Sequence, residues 1–329
     1  MATADQLKAL IRSHLEGDDS RFNAIALQLA AHAARTGKAK LAQELKALID
    51  EMRSRAEVVP VAPRIKPTPL AQPRGELAGI LSVSYSRTRL REMVLDDSIR
   101  HLLERVLTEQ RQRHRIHEHG LFPIRKVLLT GPPGTGKTLT ASVLAAELTL
   151  PLFTIQLDGL ITKFMGETAA KLRLVFDAIH QTRGVYLFDE FDAVGGHRTS
   201  KNDVGEIRRV LNSFLQFLEN DSSDSIVIAA TNHPSMLDSA LFRRFDLVVA
   251  YQLPTPSMAA EVLQNRLAAF DTKSVDWDDM ARCSPGLNHG DLVRAAEQAA
   301  KNAILDEKSS ITSAMLSEAL RERQIDHKD

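Results

Sequence analysis

The 329-residue chain is 43% hydrophobic but only 5% aromatic, and its 42 Lys plus Arg balance its 42 Asp plus Glu. Such a composition supports folded domains and excludes a global field that would steer the chain onto nucleic acid or an anionic membrane. The single cysteine, Cys283, excludes an intramolecular disulfide framework; no basic n-region opens the chain and no apolar run reaches spanning length, so the expectation is a cytoplasmic protein without membrane insertion.

From Met1 to Arg55, apolar residues recur at helical spacing, as in Leu7, Leu10, Ile11 and Leu15, then Phe22, Ile25 and Leu29, then Leu41, Leu45, Leu48, Ile49 and Met52. Breaks at Gly17 to Ser20 and at Thr36 and Gly37 divide them into three short helices. So small a unit has a modest core. Residues 1–55 are therefore read as an all-α N-terminal module that packs on a neighbour or a partner, the preferred role being recruitment of a protein substrate or adaptor and the alternative a purely structural cap on the main domain. Pro60, Pro63, Pro67, Pro69 and Pro73 then make residues 56–75 an extended, partly stiff linker.

Across residues 76–253 the strand-like runs KVLLT, LFTIQL, VYLFDE, SIVIAAT and LVVAYQL alternate with amphipathic helices. This predicts an α/β unit, a five-stranded parallel sheet covered on both faces. In residues 254–329 the strands stop, and MAAEVLQNRLAAF, GDLVRAAEQAAKNAIL and ITSAMLSEALRER read as a helical lid. The Arg- and His-rich run from Arg105 to Gly120 reads as a solvated helix face. His114, His117 and His119 lack metal-site spacing.

GPPGTGKT follows KVLLT directly and opens the helix LTASVLAAEL, the strand, glycine loop and helix context that a P-loop requires. Gly131, Pro132, Pro133, Gly134, Thr135, Gly136, Lys137, Thr138 and Leu139 are the expected ATP-binding segment, in which backbone N–H groups and a helix N-terminus converge on phosphates. Lys137 should reach the β- and γ-phosphates, and the Thr138 hydroxyl should ligate Mg²⁺. VYLFDE delivers two acids at the end of a buried strand: Asp189 to hold Mg²⁺ and Glu190 to polarise the attacking water. SIVIAATN ends in Thr231 and Asn232; by itself this pair is most often a turn or a cap, but beside the other sites Asn232 is expected to align water and γ-phosphate.

With these residues in place, the chain from Leu90 to Leu305 resembles an AAA ATPase, the protein-remodelling branch of the AAA+ superfamily. GPPGTGKT matches the family's Walker A, LFDE its Walker B, ATN its sensor 1 and LDSALFRRFD its arginine-finger segment. The resemblance implies a homo-hexameric ring in which Arg243 and Arg244 reach the neighbouring subunit's site, with Arg198 at a position where family members often carry another interface arginine. Many relatives read RPGRFDR there, whereas LFRRFD sets the arginines side by side, a form similar to the spastin, katanin and Vps4 group. In GLNHGDLVRAA, aligned on versions such as GLSGADI, Asp291 stands where other branches carry a sensor 2 arginine, which leaves Arg294 without a role.

LITKFMGETAAKL places Phe164 and Met165 between Lys163 and the Gly-Glu of Gly166 and Glu167, poor company for a core. In remodellers that resemble this chain, a loop after the second strand faces a central pore with an aromatic, an apolar residue and glycine. Lys163, Phe164, Met165 and Gly166 are thus the expected substrate grip, which tolerates many sequences because any extended polypeptide buries some apolar surface against it. The implied function is an ATP-hydrolysing unfoldase or disassembly machine, and any peptidase it serves must be a separate protein. The alternative is a nucleic-acid remodeller of the helicase-loader or initiator type, against which the neutral charge and the Phe-Met-Gly loop argue.

Overall fold

The computed structural model describes residues 73, 75–157, 165–191, 201–237, 239–308 and 310–326. The expected N-terminal helices, nearly all of the linker, Lys163, Phe164 and Arg198 lie outside these residues.

A 3₁₀ turn at Gly75–Gly79 leads into strand β1 (Leu81–Ser84), and a second at Leu90–Glu92 precedes helices α1 (Asp97–Arg111) and α2 (Arg113–Glu118). Next come β2 (Lys126–Thr130), α3 (Lys137–Leu148), β3 (Leu152–Ile155), α4 (Met165–Gln181), β4 (Val185–Phe188), α5 (Lys201–Asn220), β5 (Ile226–Thr231), α6 (Ser239–Phe242) and β6 (Leu247–Ala250). The five expected strands are present and mutually parallel, in the order β3, β4, β5, β2, β6. A sixth strand corrects the expected count: β1 pairs antiparallel with β3, Leu81 opposite Ile155 and Ser84 opposite Leu152. It escaped the sequence reading because LSVS buries only Leu81 fully and carries serines on its open face.

Strands β2, β4 and β5 are buried along their whole length, as a sheet covered on both faces demands. Their period-2 alternation sends side chains to two cores. Phe153, Tyr186, Phe188 and Val227 pack with Leu172, Val175, Phe176 and Ile179 of α4 and with Phe214 and Leu218 of α5. Val127, Leu129, Leu187 and Ile228 face Leu103, Val106 and Leu107 of α1 and Val143 and Leu144 of α3. Helices α7 (Pro256–Arg266), α8 (Trp277–Arg282), α9 (His289–Leu305) and α10 (Ser313–Asp326) enclose a third core, built on Leu263, Met280, Leu292, Ala295, Ala299 and Leu316. Its alanines let α9 approach its neighbours closely.

The entrance to β2 is fixed by charge. Arg125 pairs with Asp221 at 3.1 Å, side chains 10% and 0% exposed, and donates to the carbonyls of Asp221 and Ser223 at 2.7 and 2.8 Å. The N–H groups of Arg125 and Lys126 both donate to Asp246 Oδ2, at 3.0 and 2.9 Å. Arg125→Ala would leave the buried Asp221 carboxylate with only the Ser223 N–H at 3.2 Å and His180 at 3.5 Å as partners among the described residues, and is expected to cost about 3 kcal/mol of stability in chemical denaturation.

Candidate active site

The strand order puts β2 between β5 and β6, while the connection through α3 crosses to β3 on the far side of β4 and β5. Such a reversal opens a crevice at the C-terminal ends of the strands. Thr130 ends β2 level with Thr231 of β5 and Ala250 of β6, and Phe188 of β4 lies beside Ala229. The glycine loop, the two acids and Asn232 therefore emerge from adjacent strand ends.

The loop after β2 is already shaped. Gly131 has φ 139° and so close an approach to β6 that a Cβ would lie 2.4 Å from the Tyr251 carbonyl oxygen. Gly136, with φ 99°, is the N-cap of α3 and offers no side-chain cap, so the first N–H groups of the helix remain for a ligand. Within the loop, Lys137 Nζ donates to the carbonyls of Gly131 and Pro132 at 2.8 and 2.7 Å, and Thr135 Oγ1 donates to the Pro132 carbonyl at 2.8 Å. Behind it, the Thr140 and Tyr251 hydroxyls share a buried hydrogen bond of 2.5 Å, and burial pushes the Tyr251 phenol up to about 12. Lys137 is 94% buried by the loop it closes (6% exposed), whereas Pro132, Pro133, Gly134, Thr138 and Leu139 are exposed at the mouth.

Across the crevice, Thr138 Oγ1 donates to Asp189 Oδ2 at 2.7 Å, and Asp189 Oδ1 accepts from the Glu190 N–H at 3.0 Å. A hydroxyl and a carboxylate oxygen side by side are the hard donors that Mg²⁺ prefers, so the residues present fit that ion. Glu190 is exposed and takes the left-handed conformation, φ 50°, rare for a non-glycine residue. The turn is held open by Phe191, buried to 1% exposure, whose N–H donates to the Ala230 carbonyl at 2.8 Å. A strained backbone of this kind costs about 1–3 kcal/mol and persists where the surroundings over-determine it. Beside it, Thr231 Oγ1 accepts from the His233 N–H at 3.0 Å, and Asn232 between them is half-buried.

Other expected residues are elsewhere. Arg243 and Arg244 follow α6 and are exposed; Arg244 makes an ion pair with Glu219 of α5. Met165 and Gly166 are the first residues of α4, so only Lys163 and Phe164 of the expected grip precede the helix.

The sequence reading missed the wall opposite the loop. A cavity of about 690 Å³ opens beside Thr135, Gly136 and Leu139, bounded by Met93 and Val94 before α1 and by Val262, His289 and Val293 of the helical lid. The lid touches the loop directly: the Gly290 N–H donates to the Gly134 carbonyl at 3.0 Å, and a Cβ on Gly134 would collide with the Asn288 side chain at 2.3 Å. Asn288 and Asp291 form a reciprocal capping box at the start of α9, and Arg294 donates to Asp291 Oδ1 at 2.7 Å. Arg294 thus acquires a role, holding the 3% exposed Asp291 in place. The signal in the sequence was the departure of GLNHGD from GLSGAD.

Both ring nitrogens of His289 are buried, and the Val94 backbone is the polar group that bears on the ring. Burial holds its imidazole below the usual value of 6.5, with the Val94 backbone opposing. In the unfolded chain the ring would titrate near its ordinary value, so between the two values the unfolded state binds more protons. The protein should therefore lose stability as pH falls from 6.5 through the folded value, and the thermal midpoint of His289→Gln should drop less than that of the parent between about pH 7 and about pH 5.

Among the described residues, no helix is long and apolar enough to cross a membrane. Residues 127–253 match the model of the ATPase family associated with various cellular activities (AAA). The chain is 32% identical over 326 residues to an uncharacterised AAA family ATPase of Sinorhizobium fredii, covering 98% of this chain and 96% of the relative. It is 32% identical over 234 residues to a proteasome-activating nucleotidase of Methanothermobacter thermautotrophicus, covering 69% of this chain and 57% of that protein. Similarity to an ATP-dependent zinc metalloprotease FtsH of Lancefieldella parvula is 37% identity over 207 residues, 60% of this chain and 32% of the protease.

Proposed function

The chain belongs to the AAA family of ATPases, and from that membership we propose that it is an ATP-hydrolysing protein unfoldase or disassembly machine, working as a homo-hexamer that threads a polypeptide through a central pore. The observation that carries the ATPase half is the Thr138 to Asp189 hydrogen bond across the crevice, beside a loop whose lysine and helix N-terminus await phosphates. When ATP arrives, the γ-phosphate exchanges with the Gly131 and Pro132 carbonyls for Lys137 Nζ. Thr138 and Asp189 would hold Mg²⁺, which neutralises charge on the β- and γ-phosphates. Glu190 takes the proton of the attacking water, Asn232 aligns that water, and an arginine of the next subunit compensates the charge that develops.

The remodelling half is supported by the relatives, one named as a proteasome activator and others as ATP-dependent proteases. With no peptidase constellation in the sequence, any proteolysis would fall to a separate protein. Residues 1–55 recruit the substrate or adaptor, residues 56–75 tether them, and Lys163, Phe164, Met165 and Gly166 grip the chain. Against nucleic acid as substrate, four members of the basic run before β2 are paired with acids: Arg105 meets Glu109 at 2.8 Å, Arg111 meets Glu147 at 2.9 Å, and Arg113 and His117 meet Asp224 at 3.6 and 3.1 Å.

The test is capture. Glu190→Gln protein loaded with ATP should retain a nuclease-resistant protein from lysate of its source cell, and Lys137→Ala should not. Phe164→Ala in the Glu190→Gln background should lose that protein, yet Phe164→Ala alone should keep basal ATP hydrolysis within about twofold, since the proposed grip supplies no group to the phosphates. Retention of nucleic acid, or of proteins lost on nuclease treatment, would overturn the unfoldase reading.

A further inference from the structure

Tyr251, the residue after β6, touches the glycine loop at both of its ends. At the start, its N–H donates to the Thr130 carbonyl at 2.7 Å, and its backbone leaves Gly131 no room for a Cβ. At the end, its phenol meets the Thr140 hydroxyl at 2.5 Å, and Thr140 Oγ1 lies 3.0 Å from the Gly136 carbonyl. A threonine hydroxyl has one proton to give. The arrangement that makes both bonds therefore runs in one direction, from the Tyr251 O–H to Thr140 Oγ1 and from the Thr140 O–H to the Gly136 carbonyl. Burial favours that order, because it keeps the phenol protonated and so able to donate.

The two side chains are 4% and 0% exposed and sit against Val143, Leu144 and Val249, where a phenylalanine and a valine of nearly the same shape would pack without any polar demand. What the hydroxyls add is direction. Gly136 is the N-cap of α3, with φ 99°, and its carbonyl also accepts the Thr140 N–H at 2.9 Å. The planar trans peptide that carries this carbonyl carries the Lys137 N–H on its opposite side. Holding the oxygen back along the helix therefore aims the Lys137 N–H forward, toward the place where phosphates bind a helix N-terminus. We infer that Tyr251 is a positioning residue for nucleotide binding, which sets the direction of the Lys137 N–H through Thr140 and the Gly136 carbonyl. The inference rests on the nucleotide reading of the site.

The experiment measures ATP and ADP affinities by calorimetry, with thermal unfolding alongside, on the full chain carrying Glu190→Gln, which should not consume its ligand. Adding Tyr251→Phe, which keeps the ring, should weaken both nucleotides about fivefold. Adding Thr140→Val should do the same, whereas Thr140→Ser, which keeps the hydroxyl, should stay within about twofold of the parent. Tyr251→Phe and Thr140→Val together should lose no more than either alone, as a single relay requires. Affinities within about twofold of the parent in both Tyr251→Phe and Thr140→Val, whatever their thermal midpoints, would reduce the pair to packing and overturn the assignment. So would losses that multiply in the double variant, or a Thr140→Ser protein as weak as Thr140→Val. Failure of the Glu190→Gln protein to bind ATP at all would overturn the nucleotide reading, and the positioning role with it.

Discussion

Glu190→Gln is expected to bind ATP as tightly as the parent protein and to hydrolyse it at least about 100-fold more slowly. Binding survives because the residues around the phosphates, Lys137, Thr138 and the α3 N-terminus, are untouched, and because Glu190 is exposed and forms none of the loop's hydrogen bonds through its side chain. Hydrolysis falls because an amide cannot take a proton from water. The left-handed backbone at this position sharpens the comparison, since glutamine meets the same φ of 50° with nearly the same shape. Nucleotide binding by calorimetry and phosphate release on the same preparation check both halves. A variant that hydrolyses within about threefold of the parent would remove Glu190 from the chemistry.

Arg243→Ala should abolish most of the ATPase activity, by about 1,000-fold, without weakening nucleotide binding to the isolated subunit. Arg244 is held by Glu219 of its own chain, so Arg244→Ala is expected to do less harm than Arg243→Ala, although both arginines are exposed beyond α6. The decisive measurement is a mixture. A Lys137→Ala subunit has a crippled loop but an intact Arg243; an Arg243→Ala subunit has the reverse. If the arginine acts across a subunit boundary, each variant is inactive alone and the mixed ring recovers a fraction of the parent rate. Absence of recovery at every mixing ratio would count against a shared site, and undiminished activity of Arg243→Ala alone would exclude the finger altogether.

The parts of the site that were legible in the sequence are those encoded over a few consecutive residues. GPPGTGKT fixes a turn whose glycines need positive φ, and KVLLT and SIVIAAT are runs that only a sheet buried on both faces accepts; β2 coincides with KVLLT. What was illegible depends on pairs far apart in the chain. β1 has one well-buried residue, and its partner Ile155 is remote in sequence. The cavity wall joins Met93 to His289, and Arg244 finds Glu219 only after β5 and α6 have folded back. Asn288 and Asp291 form a capping pair three residues apart, yet Asp291 was read by its place in the family pattern.

The bond between Gly290 and Gly134 joins two backbones, so no side-chain rotation can absorb a shift of either one. Helix α9 runs 17 residues from that bond, which makes it a rigid arm of about 25 Å. A tilt of about 5° imposed at the glycine loop displaces the other end by about 2 Å, and the residues there, Ile304 and Leu305, are 62% and 80% exposed apolar side chains. Mechanically, the smallest contact in the site is a fulcrum: a tilt set at the glycine loop would be magnified into movement of an apolar tip at the surface.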